Sequence, residues 1–273
     1  MLLQSVGFKP VSLKARSIAE ACLALVAGFS VHYACAQEAT SSSRPPYHGT
    51  IFIAKDILTS EDPTAWTGLQ ERGKGERRMF DRRKNAFGKY DAWIFDASFD
   101  DGLSIEVQVN AEMDQATAKR EAETYLKVVG QMPYAVRVRV ETMWIHPGKQ
   151  LFGGGNRNLL IHVEQGVEYA RDGILEETLI HEASHTSLDS EHARSEGWRE
   201  AQRADAGFIS KYAMENPERE DVAESYLLCF AMQHRRSRLP ESIQETVRRV
   251  MPHRLAYFEL LELDVRPVVQ LND

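Results

Sequence analysis

A chain of 273 residues in which 43% are hydrophobic and 27% charged has enough apolar side chain for one large core or two small ones, which excludes a disordered polymer. Its formal net charge is −7, and losing Lys9, Lys14, Arg16 and Glu20 with the N-terminal segment described next makes it −9, an acidic balance that excludes a general nucleic-acid binder. Of three cysteines, Cys22 and Cys35 lie in that segment, so Cys229 stands alone and no internal disulfide is expected.

Lys9, Lys14 and Arg16 precede an apolar stretch over residues 18–31, which ends in Tyr33-Ala34-Cys35-Ala36-Gln37. This is the layout of a signal peptide, with small residues at Ala34 and Ala36 placing cleavage after Ala36. The apolar stretch is shorter than the ~20 residues of a membrane span and contains Glu20, so no stable span is expected once it is removed. Residues 1–36 therefore read as signal peptide, 37–46 as a flexible leader rich in Ser, Thr and Pro, and 47–273 as one domain, secreted or periplasmic.

Within that domain, residues 50–54 read as a strand. The basic run from Arg72 to Lys84 reads as a solvated loop; the competing readings are a binding patch, or a processing site at the end of a removable pro-segment over 37–90. Two alternating runs, 92–99 and 103–109, flank Asp101-Gly102 and predict a hairpin. A helix is expected over 115–129, a strand over 135–140, a glycine loop at Gly153-Gly154-Gly155 and a strand over 158–163, either an edge that aligns an extended substrate or an interior strand. From Asp172 onward the pattern is helical, in segments near 173–188, 196–212, 217–236 and 240–262, the last interrupted at Pro252. The fold class is α+β: a small mixed sheet with a backing helix and an active-site helix, then a mainly helical C-terminal segment.

Chemistry concentrates in His181-Glu182-Ala183-Ser184-His185. Histidines four residues apart share a helix face, so His181 and His185 can offer neutral nitrogens to one ion at about 2.0–2.1 Å. Glu182 lies about 100° round the helix from His181, where it can reach a water without binding the metal, the position of a general base. Asp172 as N-cap, Glu176 and Glu177 in the first turns, and a stripe of Leu175, Leu179 and Ala183 support the helix.

A third ligand is needed. Glu220 is the leading candidate, in a segment where Asn216 can cap, Pro217 suits the first helical position, and Glu220 and Glu224 share a face. Glu224 would then accept a hydrogen bond from the outer nitrogen of a ligand histidine. Asp189, four residues after His185, is the competing carboxylate, either as ligand, as helix terminator or as a partner behind the ligands. His146, His162, His234 and His253 each stand alone and receive no role.

The histidine-glutamate helix, followed about thirty-five residues later by Glu220-Asp221-Val222-Ala223-Glu224, resembles the gluzincin class of zinc peptidases, and its second motif is closest to the anthrax lethal factor type. A metzincin would carry glycine and a third histidine where this chain has Leu188 and Glu191. The gluzincin resemblance implies a zincin-like fold, one Zn2+ per chain, a peptide or protein substrate, and a phenol at Tyr212 that donates to the oxyanion; packing at a helix end is the other role open to Tyr212. The expected function is an exported zinc-dependent metallohydrolase, a peptidase with Glu182 as general base. The alternative is an exported zinc-binding structural or binding protein without turnover, in which a carboxylate such as Asp189 or Glu224 fills the fourth position.

Overall fold

The computed structural model describes residues 44–269; the expected signal peptide, its cleavage site and leader residues 37–43 lie outside the described residues. Strands β1 (Trp66–Asp81), β2 (Ala86–Phe99), β3 (Ser104–Asn110), β4 (Thr142–His146), β5 (Gly153–Gly155) and β6 (Asn158–His162) form one mixed sheet in the order β1-β2-β3-β4-β6-β5. The first three strands make an antiparallel meander, β3 with β4 and β4 with β6 pair in parallel, and β5 returns antiparallel on the edge. Gly102 at φ 87° closes the expected hairpin, a backbone region that a side chain would strain.

A parallel pair needs a crossover, which α1 (Gln115–Gln131) and α2 (Tyr134–Arg137) supply between β3 and β4. Asp114 caps α1 by accepting the Thr117 N–H, and Ala118, Ala122, Tyr125, Leu126 and Val129 bury one face of that helix. Then come α3 (Val163–Asp172), α4 (Leu175–Ser187), α5 (Asp189–His192), α6 (Glu196–Ala204), α7 (Lys211–Glu215), α8 (Asp221–His234), α9 (Glu241–Val250) and α10 (Pro252–Leu260). The fold is α+β, with Phe95, Val107 and Ile145 of the sheet sharing a core with Leu126 of α1 and Leu179 of α4. Among the described residues no helix is long and apolar enough to cross a membrane.

Several expectations change. Residues 51–53 form a turn rather than a strand, because their neighbours' amides are taken by carboxylates of the helices, as described below. The alternating run 135–140 starts as α2: Arg137 is buried, with Nε donating to the Met132 carbonyl and Nη2 paired with Asp101 at 2.6 Å, so local polar bonds override a strand-like pattern. Most of the basic run is strand, not loop, since β1 reaches Asp81 and its charges pair sideways, Arg72 with Asp96 and Arg77 with Glu106. The helix expected over 196–212 is two helices, whereas the break at Pro252 falls between α9 and α10. β6 is interior, and the glycine segment β5 is the edge.

Candidate metal centre

Helix α4 is docked at its middle by a close approach that only glycine permits. A Cβ on Gly154 would lie 1.8 Å from the Glu182 carbonyl oxygen, so β5 rests directly on the helix at the histidine motif. Thr186 fixes the same contact, donating to the Asn158 carbonyl at 3.0 Å and accepting the Gly155 N–H at 2.8 Å. Leu175, Leu179 and Ala183 are buried, as the stripe requires. Asp172 does not cap α4; it ends α3, and Gly173 in the left-handed region breaks the chain before Ile174 starts α4.

The second carboxylate motif sits at a helix start. Asn216 closes α7 rather than opening the next helix, Pro217 lies in the turn, and Glu220 is the N-cap residue of α8, its N–H bonded to the Asn216 carbonyl at 2.8 Å. The turn delivers Glu220, 1% exposed, onto the face of α4.

His181 Nε2, His185 Nε2 and Glu220 Oε2 converge, with separations of 3.2 Å between the nitrogens and 3.6 and 3.1 Å from them to the oxygen. Ligands about 2.0–2.1 Å from a tetrahedral ion stand about 3.3 Å apart, so this triangle has the dimensions of one face of such a site. Glu220 is buried with its Oε2 3.1 Å from His185 Nε2, so in the ion-free site the His185 imidazolium balances its charge, the place that a bound cation would take. The group could hold a metal ion.

The outer ring nitrogens face carboxylates. His185 Nδ1 is 2.7 Å from Asp189 Oδ2, and His181 Nδ1 is 3.5 Å from Glu224 Oε1. Asp189 favours a proton on His185 Nδ1, so that the ring, once it gives up its other proton, would present the Nε2 lone pair to an ion; Glu224 lies near His181 Nδ1 without a hydrogen bond to it. Asp189 and Glu224 thus stand behind the two histidines, and neither belongs to the donor group found among the described residues. Burial opposes a charge on His185, yet Asp189 and Glu220 outweigh it and raise the imidazole to about 10 in the absence of an ion. Burial likewise opposes ionisation of Glu220, but the two histidines hold its carboxyl well below the usual range.

A cleft of about 460 Å³ opens over this group, lined by Glu182 and Tyr212 among others. Glu182 is half-buried beside the donor triangle and outside it. The Tyr212 phenol, pushed up to about 12 by burial and by Glu220, belongs to a side chain 41% exposed on the cleft rim, so it is not simply packed at a helix end. Sequence reasoning did not find Arg82, Tyr169 and the group His48, Gly49, Ile51 and Phe52, which also line the cleft; no spacing marks them, because they come from a hairpin turn, α3 and a turn near the start of the described chain. No model of a known protein family, no curated protein and no solved structure matches this chain.

Proposed function

We propose that this chain is an exported zinc-dependent peptidase of gluzincin type. The observation that carries the reading is the convergence of His181, His185 and Glu220 on one point, with Glu182 beside them on the cleft and outside the donor group. Two imidazoles, one carboxylate and a side left open are the donor set of a catalytic zinc site. Zn2+ held there would supply Lewis acidity, polarising a carbonyl and lowering the pKa of water to ~7.

The chain's own groups do the rest. Asp189 holds His185 in the tautomer that presents Nε2 to the ion, and Glu224 faces the outer nitrogen of His181. Glu182 takes the proton of the water whose oxygen bonds to the scissile carbonyl carbon, then gives it to the amide nitrogen as the C–N bond breaks. Tyr212 donates its phenolic hydrogen to the oxygen that gains charge in the tetrahedral intermediate.

Metal analysis combined with digestion of an unbiased peptide library tests this, comparing the parent with Glu182→Gln. About one zinc per chain is expected in both proteins, with hydrolysis lost by at least ~100-fold in the variant. Full activity in Glu182→Gln, or a parent free of zinc, would overturn the reading.

A further inference from the structure

The turn after β1 carries two adjacent arginines with different surroundings. Arg83 is paired twice, with buried Asp81 at 2.7 Å and with Glu112 at 2.8 Å. Asp81 also accepts the Arg83 N–H at 2.9 Å, which fixes the turn. Arg82 leaves the same turn in the other direction and lines the metal cleft. There its Nη2 donates to the Phe152 carbonyl at 2.9 Å, while its Nε is buried with no hydrogen-bond partner. Among the described residues no carboxylate forms an ion pair with it, although Arg72, Arg77 and Arg83 of the same run are all paired.

A half-buried guanidinium without a counterion is an unfavourable arrangement unless something completes it. The fold makes room for it nonetheless. A Cβ on Gly153 would sit 2.8 Å from Arg82 Nη2, so the edge strand leaves a seat for the guanidinium one residue before the glycine that rests on Glu182. Because Gly153 seats Arg82 and its neighbour Gly154 packs on the Glu182 carbonyl, the arginine stands on the Glu182 side of the cleft, with Tyr169 also in the lining. Next to it Phe52 and Leu151 remain 65% and 61% exposed and form an apolar lip that continues, over Tyr169, into an adjoining cavity of about 450 Å³. The other charged groups toward the metal, Glu182, Glu220, Glu224 and Asp189, are acids, and Arg219 is already 3.0 Å from Glu220.

We propose that Arg82 is the anchor for a substrate carboxylate, so that the cleft selects peptides with an acidic group next to a large apolar residue close to the scissile bond. This deepens the peptidase reading and rests on it. Guanidinium and carboxylate match in shape and charge, and the bond is strongest where water is excluded. The apolar lip gives the neighbouring side chain a surface on which to bury. The carboxylate is either an Asp or Glu side chain or the C-terminal α-carboxylate; both present the same group.

The test uses zinc-loaded Glu182→Gln protein, which binds without turnover, titrated calorimetrically with three peptides of equal length. One carries Glu beside Phe and an amidated end, one carries Gln in place of Glu with the same end, and one carries Gln with a free C-terminal carboxylate. The expected result is that at least one carboxylate peptide binds about tenfold tighter than the neutral one, and which of them does so identifies the source. Adding Arg82→Ala or Arg82→Gln should bring that ratio to about one while zinc content stays at one per chain. Equal binding of all three peptides, or a preference that survives both substitutions, would overturn the role of Arg82 alone. Failure of every peptide to bind zinc-loaded protein would overturn it together with the peptidase reading.

Discussion

One oxygen of Glu224 accepts the N–H of Thr50 at 2.8 Å, while the other stands 3.5 Å from His181 Nδ1. A second glutamate repeats the arrangement, since Glu177 of α4 accepts the N–H of Ile57 at 2.7 Å. Between and around these points, the Tyr212 N–H bonds to the His48 carbonyl at 3.1 Å. Residues 47–58 are therefore a strap across the helices that carry the candidate metal group, and with β1 seated in the sheet they are part of the site's construction. That conflicts with a removable pro-segment reaching residue 90.

Replacing Glu224 by Ala should weaken zinc binding about 10–100-fold, because His181 loses the group that orients its ring. Asp189→Asn should act similarly through His185. Competition against a chelator of known affinity measures both, and unchanged affinity would show that the outer carboxylates do not orient the rings.

The imidazole of His185 is raised to about 10 in the ion-free site, against 6.5 for the free group. Below about pH 10 an entering metal must then displace a proton, so affinity should rise with pH by about tenfold per unit across the neutral range. The same proton stabilises the ion-free protein fully below about 6.5, an effect lost as pH climbs through 10. Calorimetry at pH ~7.5 in buffers of different ionisation enthalpy should report about one proton released per zinc; none released would contradict the assignment.

Tyr212→Phe removes one hydroxyl from the cleft rim. If that hydroxyl serves the developing oxyanion, kcat should fall by about 10²-fold with KM and zinc content little changed. A change in KM alone would make Tyr212 a substrate contact instead.

Glu177 is buried, and burial lifts its carboxyl to about 8 from 4.5, with Oε2 left without a partner. The native state holds this proton up to about pH 8 while the unfolded chain loses it near 4.5, so stability should fall as pH rises between those values. Glu177→Gln keeps an acceptor for the Ile57 N–H and should flatten that slope, gaining up to roughly 3 kcal/mol near neutral pH. Thermal unfolding from pH 5 to 8 measures it; parallel slopes in parent and variant would rule it out.

The histidine pair was legible in the sequence because helical spacing puts His181 and His185 on one face of α4; Glu220 was legible as a carboxylate near a helix start, although it is the N-cap of α8 and not inside a helix opened by Asn216. The fold class was legible for the same reason, through periodicity and the Asp101-Gly102 turn. Helix α2 was not, because Arg137 is held by Met132 and Asp101, partners that no local pattern announces. Nor was β1, whose mixed charges look solvated until the partner charges on β2 and β3 lie beside them. Arg82 and the strap escaped notice for a further reason: their interactions run through backbone amides and carbonyls, which every residue possesses.

Cys229 is buried and unpaired, so among the described residues no covalent link joins distant parts of the chain. An ion gripped by His185 of α4 and Glu220 at the head of α8 would serve as that link, closing the intervening segment into a loop. Unlike a disulfide, such a staple would be indifferent to redox conditions and answer to supply: resistance to unfolding would grow with the logarithm of the free ion above its dissociation constant. The abundance of the ion around the protein would thereby set how long it survives.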